Sequence, residues 1–251
     1  MRATPFRVLL VGESWFSLGT HVKGFNNFST GYYEVGLEPL ARAMDGYAQL
    51  THLPSHLAAT QFPNTVDALQ TYDVILFSDV GSDTLLLDPD TFLRTQPKPN
   101  RLRLLQEYVR RGGGFAMFGG YMSFGGFGGQ AHYHKTSIEE ILPVEISPFD
   151  DRVETPEGIS PTMTSVNHAI LEGVDPPWPA ILGYNRFAAK PGSKVLLEHE
   201  RDPILVVGTF GEGRTGAYAS DVSPHWGSTE FVNWVHYERF WQQFVSWLGG
   251  A

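Results

Sequence analysis

The chain of 251 residues contains no cysteine, which excludes a disulfide framework, a thiolate metal site and a thiol nucleophile. Basic residues are scarce as well. Eighteen Lys and Arg stand against 27 Asp and Glu, giving a formal net charge of −9 and a pI near 5.4, the reverse of the basic stripe expected at a nucleic-acid surface. The densest basic cluster, Arg101, Arg103, Arg110 and Arg111, reads as the solvated face of a helix. No apolar run approaches the roughly 20 residues that cross a bilayer, and the opening Met1 to Arg7 lacks a signal-peptide pattern. These absences predict a soluble, cytoplasmic protein with no nucleic-acid or membrane partner.

What is present is an α/β pattern. Hydrophobic residues make up 42% of the chain, enough to bury the core of one α/β domain over 1–251. The apolar runs Arg7 to Val11 and Val74 to Ser78 read as buried parallel strands whose carboxyl ends meet loops. Residues 31–45 read as a helix leading to a strand near Ala48 to Leu53, and Arg101 to Arg111 as an amphipathic helix stopped by Gly112-Gly113-Gly114. Phe115 to Phe118 supplies the next strand. The second half is richer in β-structure, with strands at Val195 to Leu197, Ile204 to Val207 and Thr215 to Ala219 and a hairpin turn at Gly211-Glu212-Gly213. Segments 83–99 and 155–163 read as loop excursions. Phe231 to Leu248 reads as a long helix whose aromatic stripe is mainly core, any excess favouring a homo-oligomer. The alternation predicts a three-layer, mostly parallel sheet with added hairpin elements in the C-terminal half. Function is expected at the strand ends after Val11, Ser78, Phe118 and Ala219.

Several stations carry a resemblance: Gly12-Glu13-Ser14-Trp15, the run Phe115 to Gly126, Asp150 to Glu154, Gly183-Tyr184-Asn185, Gly213-Arg214-Thr215 and Ser220 to Gly227. Over nearly its whole length the chain resembles an uncharacterised group of class I glutamine amidotransferase-like proteins, which implies a flavodoxin-like fold. In that superfamily a Gly-x-Cys-x-Gly elbow presents the nucleophile. Here Tyr121 or Met122 stands at the cysteine position, so glutamine hydrolysis by the cysteine route is not expected.

Candidate site residues follow from both readings. Asp221 and His225 flank a Pro-stiffened turn after a strand. The resemblance implies that His225 is the general acid/base and Asp221 its orienting partner; a structural hydrogen bond to a backbone carbonyl is the other reading. Ser123 is a candidate nucleophile or a loop hydrogen-bonding group, and the N–H groups of Gly120 to Ser123 are candidates for an oxyanion hole. Glu13 and His21 would position substrate, Lys23 would neutralise an anionic group, and Tyr121, Met122, Tyr184 and Asn185 would touch a small polar ligand. The alternating pair His132 and His134, with a carboxylate from Asp150, Asp151 or Glu154, is a weaker candidate for a divalent metal. Arg152 is expected to pair bidentately with a neighbouring acid. No cofactor is implied. The remaining alternatives are a non-catalytic ligand-binding or assembly protein and a metal-assisted hydrolase.

Overall fold

The computed structural model describes residues 4–165 and 167–250. Its strands are β1 (Phe6–Gly12), β2 (Ser14–Lys23), β3 (Asn26–Val35), β4 (Ala48–Leu53), β5 (Val74–Ser78), β6 (Gly114–Phe118) and β7 (Val144–Glu145). The second half adds β8 (Arg152–Ile159), β9 (Thr162–Met163), β10 (Ile181–Asn185), β11 (Ala188–Ala189), β12 (Lys194–His199), β13 (Asp202–Phe210) and β14 (Gly213–Tyr218). The main sheet runs β4-β1-β5-β6-β14-β13-β12-β9. Its first five strands are mutually parallel, and β13, β12 and β9 continue it antiparallel. Every residue of β5 and β6 is buried, as expected of central strands covered on both faces.

Helices cover this sheet. Arg101–Arg110 is capped by Asn100, whose side chain accepts from the N–H groups of Leu102 and Arg103. The C-terminal helix Tyr237–Leu248 buries Phe240, Trp241 and Phe244, with Trp241 and Phe244 against Phe118 of β6. The aromatic stripe is therefore largely core, in line with its spacing.

Local readings change in five places. Residues 31–35 belong to β3, and the helix is only Glu38–Met44, because the β-branched and aromatic run before Gly36 pairs with residues 14–23 instead. Segment 83–99 carries the helices Ser82–Leu86 and Pro89–Arg94, and 155–163 lies mostly in β8 and β9. The last helix is interrupted, with Thr229–Val232 separate from Tyr237–Leu248. Arg101 is buried rather than solvated, its guanidinium donating to the carbonyls of Leu85 and Ala59 at 2.6 and 2.8 Å.

Candidate active site

Parallel pairing sets Gly12 of β1 beside Ser78 of β5, so the chain leaves both strands at one level. The next residues, Glu13 and Asp79, take left-handed backbone conformations with φ of 49° and 51°. Such conformations are uncommon for non-glycine residues and concentrate at functional sites. Both side chains line a cavity of about 460 Å³, with Asp221 and His225 beyond β14, Tyr121 beyond β6, and Trp15 and Glu34 on its wall. No lysine or arginine is among the described lining residues.

The carboxylates are individually held, Glu13 and Asp221 deeply buried and Asp79 partly so. Glu13 accepts hydrogen bonds from the hydroxyls of Ser78 and Ser223. Burial, and then the charge of Asp221, raise its pKa to about 7. Asp79 accepts from the Met122 N–H at 2.6 Å, and burial lifts its pKa to about 6. Asp221 accepts from the Nδ1–H of His225 at 2.8 Å and from the Trp226 N–H at 3.1 Å. The hydrogen bond to Asp221 raises the pKa of His225, while burial raises that of Asp221.

His225 is aimed by its surroundings. The 221–227 loop is tied to β10 through the Leu182 N–H and Trp226 carbonyl, 2.8 Å apart. Trp226 lies nearly parallel to the imidazole, and Tyr121 meets it edge-on with ring centroids 4.6 Å apart. With Nδ1 committed to Asp221, Nε2 is the nitrogen left to exchange a proton with a ligand.

A family model described as "Putative glutamine amidotransferase" matches residues 7–250. The chain belongs to that family. Two solved structures from Salmonella typhimurium are similar to this member over almost all of both chains. Cytoplasmic protein STM1381 is 42% identical, covering 96% of this chain and 99% of its own, with a TM-score of 0.93. Cytoplasmic protein STM3548 is 40% identical, covering 96% and 98%, with a TM-score of 0.92. A ThuA-like protein from Parabacteroides merdae shares the fold alone, at 10% identity, a TM-score of 0.54 and coverage of 98% and 91%. No curated protein matches the sequence.

In this family member the residues singled out from sequence fall into three groups. Glu13, Asp221, His225 and Tyr121 meet at the cavity. Tyr121, one of the two residues that the resemblance aligns with cysteine, has its hydroxyl donating to Glu154 at 3.2 Å, and burial and Glu154 raise its pKa. The phenol is thus kept protonated and directed to Glu154.

A second group braces the glycine turn. The Ser123 hydroxyl is buried and accepts from the Asp79 N–H at 3.1 Å, so it is not paired with His225. The expected oxyanion donors are already committed: Gly120 N–H to Asn185 Oδ1, Met122 N–H to Asp79 and Ser123 N–H to the Gly120 carbonyl. Asp79 thus occupies one of the donors an oxyanion would need. Asn185 also donates to Asp151, which accepts from the N–H groups of Gly125 and Gly126. The Met122 side chain lines a neighbouring cavity of about 450 Å³ with Phe16 and His56.

The third group lies apart from this cavity. His21 and Lys23 sit far along the β2–β3 ribbon, where His21 stacks on Phe28. They do not line the pocket, because the segment after Ser14 continues as a strand instead of folding back as a loop. Tyr184 donates to Asp202 at 2.8 Å. His132 and His134 diverge, the first toward Asp83 and the second toward the Ile146 carbonyl, and with Asp151 held by backbone they form no common ligand set. No group of three potential metal ligands occurs among the described residues. Arg152 does pair bidentately, with Asp150 at 2.9 and 2.8 Å, and its guanidinium covers the Phe127 ring at 3.6 Å.

Sequence reasoning passed over Asp79, Glu34 and Ser223. The end of β5 was an available signal for Asp79, since it is one of the strand ends at which a doubly wound sheet gathers its site. Glu34 had none, because its position depends on the ribbon folding back.

Proposed function

We propose that this protein is an acid–base enzyme acting on a small polar molecule that is uncharged or cationic, in a hydrolase- or lyase-type reaction without a protein nucleophile. The observation that carries this reading is the meeting of the Asp221–His225 pair with Glu13 and Asp79, whose pKa values of about 7 and 6 lie near neutrality. General acid–base catalysis is most effective when a group's pKa is close to the working pH. His225 acts as base through Nε2, oriented by Asp221, and the carboxyl groups of Asp79 and Glu13 in the same cavity are the reservoirs for the returning proton. Buried carboxylates without a lining cation disfavour phosphate or carboxylate substrates by like-charge repulsion. Water, rather than Tyr121 or Ser123, supplies any nucleophile required.

The test is a turnover screen of neutral and cationic metabolites, followed by His225→Ala and Glu13→Gln on any substrate found. Unchanged turnover in both variants sinks the assignment. A second reading, a non-catalytic ligand-binding descendant, is favoured by the missing cysteine; ligand-induced stabilisation lost in His225→Ala without any turnover would support it. Because the two Salmonella relatives are named as cytoplasmic proteins, we place this chain in the cytoplasm too, which cell fractionation would check.

A further inference from the structure

The β2–β3 ribbon is unabsorbed by the reading above. Its strands pair in unbroken register from Ser14↔Val35 to Lys23↔Asn26 and form a sheet with no third strand. An isolated two-stranded ribbon is marginally stable in water, and this one leaves both edges unpaired. Eight of the fourteen exposed large hydrophobic residues among the described residues lie on it, Phe25 and Leu18 at 107% and 82% exposure. Five of the eight, Phe16, Leu18, Val22, Tyr33 and Val35, lie on one face of the ribbon, Phe28 and Tyr32 on the other, and Phe25 at the turn.

Residues paired across an antiparallel ribbon share a face. From root to tip, one face therefore reads Trp15/Glu34, Ser17/Tyr32, Gly19/Thr30, His21/Phe28 and Lys23/Asn26. Residues 14–35 contain only two formally charged side chains, Glu34 in the root rung and Lys23 in the tip rung. Both are on this face, and neither makes an ion pair among the described residues. The middle rung is small. A second copy, related by a twofold axis through Gly19/Thr30, runs antiparallel to the first. Each Lys23 then meets the other copy's Glu34, and each Tyr32 meets the other copy's stacked His21–Phe28 pair, whose ring centroids are 4.7 Å apart.

We propose that the chain forms a twofold dimer through this face, and that Lys23 of each copy closes the acidic mouth of the other copy's cavity. Self-complementarity is what an isologous contact requires. The charge polarity of the ribbon meets that requirement within one sequence, whereas an unrelated partner would need a matching polarity of its own. Glu34 and Trp15 line the cavity, so the contact brings a cation to a rim whose described lining has none. Lys23 offsets Glu34 at the mouth and leaves the carboxylates of the floor as they are. The pairing stands independently of the acid–base chemistry assigned to that floor.

Sedimentation equilibrium of the intact chain at micromolar concentration tests this directly. The wild type is expected to be dimeric. Lys23→Glu and Glu34→Lys are each expected to weaken association roughly tenfold or more by setting like charges together, and the double exchange to restore it. A monomeric wild type overturns the proposal, as does a dimer whose affinity ignores both single exchanges. Thr30→Cys provides a second measurement, since it is the only thiol in the chain and sits at the axis. A short bis-maleimide is expected to link two folded Thr30→Cys copies but not two copies of Glu212→Cys, at the β13–β14 turn. Failure to link the former overturns the twofold placement.

Discussion

Glu13 and the ribbon that begins at Ser14 are adjacent in sequence, yet they meet opposite physical demands. Glu13 is 2% exposed with both carboxylate oxygens held by serine hydroxyls, whereas Leu18, five residues on, is 82% exposed. A buried acid is tolerable when donors from β5 and the 221–227 loop are already in place and its proton can stay on near neutrality. An exposed apolar ribbon has no such internal remedy, so its remedy is another surface. One region is over-determined by its own chain, and the other leaves its apolar side chains exposed.

The largest expected effect separates the regions by activity. If the acid–base proposal holds, His225→Ala should lower kcat for a substrate found in the turnover screen by about 10²–10⁴-fold, the usual contribution of a positioned acid or base. Leu18→Ser, on the ribbon face opposite the proposed dimer contact, should leave kcat unchanged.

The pH dependence of stability comes next. Below Glu13's ordinary value of 4.5 the group is protonated whether the chain is folded or not, and it costs nothing. As pH rises toward its folded value of about 7, the unfolded chain releases that proton first. Stability must therefore fall across this window, by on the order of 3 kcal/mol in all. Asp79 adds a loss of the same sign between 3.8 and about 6. Melting curves of wild type and Glu13→Gln should diverge below neutrality, the wild type flattening its own pH slope only above about 7; parallel curves would mean that Glu13 is not held in this state.

Smaller changes probe the join between the regions. A Cβ added at Gly36 would lie 2.1 Å from Glu13 Oε1 and 2.6 Å from Ser223 Oγ. Gly36→Ala should cost about 1–3 kcal/mol by overpacking, and lower Tm by roughly 2–4 °C for each of these. At the ribbon turn, an added Cβ on Gly24 meets nothing within 4 Å, although φ is +63°. Gly24→Ala should cost about 1 kcal/mol from backbone strain alone. Smallest of all, Leu18→Ser should shift unfolding by less than about 0.5 kcal/mol. A larger loss would show that the ribbon packs on its own body.

Much of the sheet was readable because its strands are buried on both faces and announce themselves as apolar runs. Val74 to Ser78 and Phe115 to Phe118 became β5 and β6, and the turn at Gly211 and Glu212 joins β13 to β14. The ribbon was less readable. Tyr32, Tyr33 and Val35 have a spacing that also fits a helix, and only pairing with residues 14–23 decides for strand. The same ambiguity moved His21 and Lys23 from an imagined pocket to a ribbon end. Asp79 escaped notice because a lone acid after a strand is ordinary until its neighbour Glu13 turns the same way.

By itself the sequence determined the absence of thiol chemistry, the acidic balance, the order of the main sheet's buried strands along the chain and membership of an α/β class. Composition and periodicity are local properties, and burial on two faces writes them into every strand. The tertiary structure alone decided that Glu13, Asp79, Asp221 and His225 share one cavity, and that the turn's N–H groups serve Asp79 and Asn185 instead of a substrate. Those outcomes depend on which strand ends lie side by side, a long-range pairing that no single segment encodes.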